Sequence, residues 1–146
     1  MKELIREFVE SRNTGLVGVS KSGKKFGFYA MNELNKRGFE VFPVHNEITE
    51  MEGVAFYKSI EEISGLTKNL VIIVNPSKTE SIIVDAANAG IKNIWIQQGA
   101  ESPAAIEKGK QLGLNVVHGK CILMYSEPVK GFHKFHKVIA DFFDKS

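Results

Sequence analysis

The chain has 146 residues, one cysteine, 43% apolar and 25% charged residues, and a net charge of +2. That length supports a single domain with a real core, and the lone Cys121 excludes an intrachain disulfide. So small a net charge argues against a nucleic-acid partner. The cations instead gather locally, at Lys21, Lys24 and Lys25 and again at Lys130, Lys134 and Lys137, which suits a small anionic ligand.

In chain order, Leu4, Ile5, Phe8 and Val9 recur at helical spacing and predict a helix over residues 2–12. Acids interrupt this segment, so it does not read as a secretory signal. No apolar stretch approaches the ~20 residues of a membrane helix, and a cytoplasmic protein without a membrane partner is expected. The first strand is expected over Gly15 to Val19. Ser20-Lys21-Ser22-Gly23-Lys24-Lys25-Phe26-Gly27 follows as a glycine- and lysine-rich loop, then a helix from Phe26 to Arg37 closed by Gly38. Glu40 to Val44 is the second strand.

Val54 to Tyr57 reads as a short edge strand. Ser59 with Glu62 and Ser77 with Glu80 read as capping boxes for two helices. Between them, Leu70 to Val74 has the continuous apolar character of a strand buried on both faces. Asn93 to Ile96 is a further strand. Ser102 caps a helix with Pro103 at its first position, and Asn115 to Val117 is the last strand. A tail helix is expected over residues 131–144, with Phe132, Phe135, Val138, Ile139, Phe142 and Phe143 as its apolar side and His133 and His136 on it.

Strands alternating with helices imply an α/β fold: a Rossmann-like, doubly wound, mostly parallel sheet with helices on both faces, in one domain whose core spans about residues 14–122. Ligands of such sheets sit beyond the carboxyl ends of the strands, where strand order reverses. That rule selects Gly18 to Gly27, His45-Asn46, Val74 to Pro76 and Gln97 to Ala100. The first loop reads as a phosphate cradle, because a helix N-terminus offers unpaired amides and partial positive charge to an anion. An NAD site usually has an acid at the end of strand two. This chain has His45 there, which suits a phosphate or an adenine edge, and a turn histidine is the competing reading.

The segments Val17-Gly18-Val19-Ser20, Lys24-Lys25-Phe26-Gly27, Phe42-Pro43-Val44, Val74-Asn75-Pro76, Trp95 to Ser102 and Val117-His118-Gly119-Lys120-Cys121 occur in this order. Together they resemble the small stand-alone CoA-binding proteins, which are similar to the nucleotide-binding domain of the succinyl-CoA synthetase alpha subunit. The resemblance covers Thr14 to about Ile122. It implies CoA or an acyl-CoA as the bound ligand, with phosphate held by Gly18, Ser20, Lys24, Lys25, Phe26 and Gly27. Val74 and Pro76 would flank the adenine side, and Gln98, Gly99 and Ala100 would line the crevice. The family commonly has proline where this chain has Asn46, so Glu47 brings a negative charge near the expected phosphate site and is expected to limit affinity.

His118, Cys121, His133 and His136 do not form a complete metal motif, and neither a metal nor a catalytic thiol is expected; Cys121 reads as a packed apolar residue. The resembled synthetase subunit carries its phosphorylated histidine in a second domain for which 146 residues leave no length. Non-catalytic binding, as a carrier, sensor or partner subunit, is therefore the expected function. An NAD(P)-binding oxidoreductase component and an interaction module without its nucleotide are the alternatives. Substitution is expected to separate site from scaffold: Gly18→Val should block a ligand more than it harms the fold, and Gly27→Ala should be mild.

Overall fold

A segment such as Leu70-Val71-Ile72 hides side chains on both faces of its strand, so helices must cover both sides of the sheet. The computed structural model, which describes residues 1–126, has this layered form. Its elements are α1 (Lys2–Glu10), β1 (Asn13–Val17), α2 (Phe26–Lys36), β2 (Glu40–Val44), β3 (Glu50–Met51), β4 (Val54–Ala55) and a 3-10 turn (Ile60–Ile63). They continue with β5 (Asn69–Ile72), α3 (Pro76–Asn88), β6 (Asn93–Gln97), α4 (Pro103–Gln111), β7 (Asn115–Lys120) and a second 3-10 turn (Ile122–Met124). The tail helix expected over 131–144, with His133 and His136, lies outside the described residues.

Five parallel strands form the sheet in the order β2-β1-β5-β6-β7. This is the Rossmann-like α/β architecture read from the alternation of elements. Period-two alternation sends Leu16, Val41, Val71, Trp95 and Val117 to one face, under α1, α2 and residues 121–123. Phe42, Leu70, Ile72, Ile94, Ile96 and Val116 go to the other face, under α3, α4 and the 60–63 turn. Trp95 is fully buried, edge-on to Phe8 at 5.4 Å between ring centroids, and its indole N–H donates to the Lys120 carbonyl at 3.0 Å.

Several local readings change. β1 begins at Asn13 and ends before Gly18, two residues earlier at each end than expected, because the chain already leaves the sheet at Gly18. Val54-Ala55 pairs antiparallel with β3 rather than lying along the sheet edge, and Tyr57 alone makes a parallel bridge to Val44. Neither expected capping box forms. The cap of α3 is Asn75, whose Oδ1 accepts from the Ser77 amide at 3.0 Å, and the Glu62 carboxylate accepts from the Lys58 amide at 2.7 Å. Ser102 caps α4 as expected, accepting from the Ala105 amide at 3.1 Å.

Two polar networks tie the layers. Arg37, a terminal helix cation in the sequence, has only 3% of its side chain exposed. It pairs with Glu33 at 2.9 Å and donates to the Leu123 carbonyl and the Ser126 hydroxyl, both at 3.2 Å. Burial lowers its pKa and the Glu33 carboxylate opposes that shift. At the amino edge of the sheet, the first residue of each of β1, β5, β6 and β7 is an asparagine. Asn115 Nδ2 donates to Asn93 Oδ1 at 2.9 Å, Asn93 Nδ2 to Asn69 Oδ1 at 2.8 Å, and Asn69 Nδ2 to the Asn13 carbonyl at 3.0 Å. This amide ladder follows the in-register pairs Asn69–Asn93 and Asn93–Asn115. A one-residue slip would misalign it at every step.

Asn93→Leu removes the middle rung and leaves the Asn69 side-chain Oδ1 short of a donor in a buried place. The expected loss is about 1–3 kcal/mol of unfolding free energy, read from the urea midpoint at unchanged slope.

Candidate functional site

The strand order reverses between β1 and β5: the chain leaves β1 for β2 on one side and later returns to its other side as β5. Connections diverge there and open a crevice at the carboxyl edge. A cleft of about 1490 Å³ lies at this point, lined by Gly18 and Ser20 from the first loop, Lys25 and Gly27 at the start of α2, and residues following β2, β5 and β6. It exceeds the ~300–1,000 Å³ common for small-molecule pockets and suits a long ligand.

The first loop turns on two glycines. Gly18 has φ +142°, and a Cβ there would sit 2.1 Å from the Ile73 carbonyl oxygen. A Cβ on Gly27 would sit 2.1 Å from the Gly18 carbonyl oxygen. The first turn of α2 thus rests directly on the backbone leaving β1, which in turn rests on the end of β5. Both expectations for these residues are corrected: they are packing glycines first, and neither accepts a side chain without moving backbone. Within the loop, Ser20 and Ser22 hydroxyls lie 2.9 Å apart, and the Gly23 amide donates to the Ser20 carbonyl at 3.0 Å, so the loop holds its own shape.

α2, α3 and α4 all start at this edge, and they differ in how they start. α3 and α4 have side-chain caps, from Asn75 and Ser102. α2 begins after Lys25 with no side-chain cap; the Phe28 amide donates to the Lys25 carbonyl at 3.1 Å, and the positive end of the helix dipole lies at the cleft. The loop after β6 offers little of this kind. The Gln98 amide donates to the Lys120 carbonyl at 3.1 Å, the Gly99 amide to Glu101, and the Ala100 amide to the Gln97 carbonyl at 2.8 Å. Its position is fixed from α3, where the buried Thr79 hydroxyl donates to the Ala100 carbonyl at 2.6 Å.

Of the residues singled out in the sequence, Gly18, Ser20, Lys25, Phe26, Gly27, His45, Val74, Gln98, Gly99 and Ala100 all line the cleft. Lys24 and Pro76 do not. Lys24 is exposed on the outside of the loop, and Pro76 occupies the first helical position of α3. His45 reaches the cleft yet also does the work of a turn residue: its Nδ1 accepts from the amides of Glu47 and Ile48 at 3.0 and 3.1 Å. Glu47 is not a lining residue. Its carboxylate pairs with the Lys21 ammonium across the two loops, and that cation lowers its pKa.

Sequence reasoning missed Lys58 and Lys78, which line the cleft with Lys25. Among the described residues, no carboxylate forms an ion pair with any of the three. Glu61 and Asp85 line the cleft too. Asp85 lies seven residues along α3 from Lys78, about 10 Å farther from the carboxyl edge. The cleft therefore has a cationic end at the sheet edge and a more acidic arm along α3. Lys58 was hidden because nothing local marks it; it arrives through the Tyr57–Val44 bridge.

Cys121 is buried, and burial pushes its thiol pKa up, while the Gln97 amide and the Leu123 and Met124 backbone amides oppose that shift. Gln97 is itself pinned, its Oε1 accepting from the Ile122 amide at 3.0 Å, and its buried Nε2 has no well-formed hydrogen bond. His118 is not among the groups acting on the thiol. Among the described residues, no three His, Cys, Asp or Glu side chains gather as a metal site, and no helix is long and apolar enough to cross a membrane.

The comparisons with known proteins come to the same region of protein space. A family model described as "CoA binding domain" matches residues 12–127. The chain is 25% identical over 126 residues to the alpha subunit of acetate–CoA ligase [ADP-forming] II of Pyrococcus furiosus, covering 79% of this chain and 28% of that subunit. It thus spans under a third of that relative's length. It is 24% identical to the uncharacterized protein YneT of Bacillus subtilis, over 83% of this chain and 90% of that one. Among solved structures, a conserved hypothetical protein of Pyrococcus furiosus is 34% identical with a TM-score of 0.71, over 76% of this chain and 96% of that chain. A protein redesigned for binding superposes with a TM-score of 0.77 at 26% identity, over 90% and 96% of the two chains.

Gly27→Ala is expected to cost at least about 2 kcal/mol, since backbone must shift to admit one methyl group; a thermal melt followed by circular dichroism measures it. Cys121 in the native protein should resist iodoacetamide at neutral pH and react fully in denaturant, because the raised thiol pKa and burial both suppress the thiolate.

Proposed function

The chain belongs to the CoA binding domain family, and from that premise we propose that its cleft binds CoA or an acyl-CoA without catalysing a reaction, as a carrier, sensor or partner subunit. The observation that carries this reading is the cationic end of the cleft: the uncapped start of α2 together with Lys25, Lys58 and Lys78, none of them in an ion pair. CoA carries a diphosphate and a separate phosphate monoester, and this end offers a helix N-terminus and dispersed single charges to match. Gly18, Ser20, Lys25 and Gly27 receive the diphosphate, Val74 flanks the adenine, and the pantetheine arm runs past Gln98, Gly99 and Ala100.

The rival NAD reading lacks its acid. Strand two ends at Val44, and the first carboxylate after it, Glu47, faces Lys21 instead of the cleft. The same pairing weakens the expectation that Glu47 repels the ligand, since the cation beside it offsets its charge.

Calorimetric titration with CoA, acetyl-CoA, NAD and NADP tests the reading. CoA and acetyl-CoA should bind more tightly than NAD, with an affinity that falls as salt rises. NAD binding more tightly than CoA would end the assignment. Lys25→Ala should weaken CoA by roughly tenfold, the scale of a hydrogen bond to a charged group, without lowering the melting temperature of the free protein.

A further inference from the structure

Three groups at the end of β2 were candidates to read the ribose of a nucleotide: His45, Glu47 and whatever the next segment brings alongside. In folds of this kind the ribose lies past the second strand. An acid there reads free hydroxyls, while a cation accommodates a ribose phosphate. Glu47 is taken up elsewhere, and His45, which lines the cleft, has one of its two ring nitrogens engaged and offers a single N–H. His45 Nδ1 accepts from the amides of Glu47 and Ile48, and the Glu47 carboxylate pairs with Lys21 away from the cleft.

The third candidate is delivered by an unexpected piece of pairing. The Tyr57 amide donates to the Pro43 carbonyl at 2.8 Å and the His45 amide to the Tyr57 carbonyl at 2.9 Å, so Tyr57 extends the sheet beside β2 by one parallel bridge. Lys58 comes next, its own amide fixed on the Glu62 carboxylate at 2.7 Å. Lys58 lines the cleft at the end of β2, with no ion-pair partner among the described residues. Glu61 also lines the cleft, without an ion pair to Lys58.

We propose that Lys58 is the specificity-determining residue that makes this cleft select a nucleotide bearing a phosphate monoester on its ribose. The inference rests on the reading of the cleft as a CoA site and adds the residue that distinguishes CoA from dephospho-CoA. Lys25 and the start of α2 hold the diphosphate common to both ligands, so they contribute affinity without this selection. Lys58 acts on the one group by which the two differ.

The test is a titration of the wild type, Lys58→Gln and Lys58→Arg with CoA and with dephospho-CoA. Wild type should prefer CoA by about tenfold or more, the scale of one charge-assisted hydrogen bond. Lys58→Gln should lose that preference by weakening CoA while binding dephospho-CoA as before, and Lys58→Arg should keep most of it. A preference unchanged in Lys58→Gln, or an equal loss for both ligands, overturns the assignment while the CoA reading stands. Wild type that binds neither ligand overturns the CoA reading and this assignment with it.

Discussion

At the end of β1 the chain must leave the sheet, pass over the end of β5 and enter α2, and it does so by backbone lying on backbone. Gly18 lies against the Ile73 carbonyl and Gly27 against the Gly18 carbonyl, and neither position has room for a methyl group. Because the contact is between main chains, no side-chain rotation can relieve it or loosen it. α2 is thereby held with its first turn at the point where strand order reverses. The hydrogen bond from the Ile73 amide to the Val17 carbonyl, at 2.8 Å, completes the joint. The uncapped helix start, the shape of the crevice and the direction of its electrostatic field all follow from this one crossing.

The cleft that results divides its work unequally among the loops. The loop after β6 satisfies its own amides and contributes surface and shape. α3 caps itself with Asn75 and contributes Lys78 and the Thr79 hydroxyl that steadies that same loop. Of the three α-helices that start at this edge, α2 is the one without a side-chain cap. Charge is spread unevenly as well: Lys25, Lys58 and Lys78 line the cleft near the sheet edge, with Glu61 three residues from Lys58, and Asp85 lines its arm along α3. An anionic ligand is thus oriented before any shape recognition begins, since one orientation places its phosphates against lysines and the reverse places them toward Asp85.

Much of this was legible in the sequence, for identifiable reasons. Alternating buried strands and helices set the layer architecture, and Ser102-Pro103 and Lys36-Arg37-Gly38 marked helix ends through local chemistry. The loops after β1, β2, β5 and β6 could be chosen because topology alone places them at one edge. What failed to show was nonlocal. Asn75 outcompeted Ser77 as the α3 cap because Pro76 fits the first helical position, and a serine after it is already inside the helix. Arg37 read as an exposed helix-end cation, and its burial comes from residues 123 and 126, far along the chain. Lys58 depends on a single bridge, and Gly27 on a contact with a residue nine positions earlier. The asparagines at 69, 93 and 115 were visible as letters, yet their alignment exists only once three strands are in register.

That row of asparagines lies at the opposite end of the sheet from the cleft, a strand of five residues away, or about 16 Å at ~3.3 Å per residue. Substitutions farther apart than about 7–10 Å that share no partners usually act additively. The protein therefore carries its register lock and its ligand chemistry on two ends that hardly communicate. Evolution or an engineer can retune one end without renegotiating the other: a stronger ladder can compensate for a destabilising change in the cleft, and new cleft specificities can be drawn on an unaltered frame.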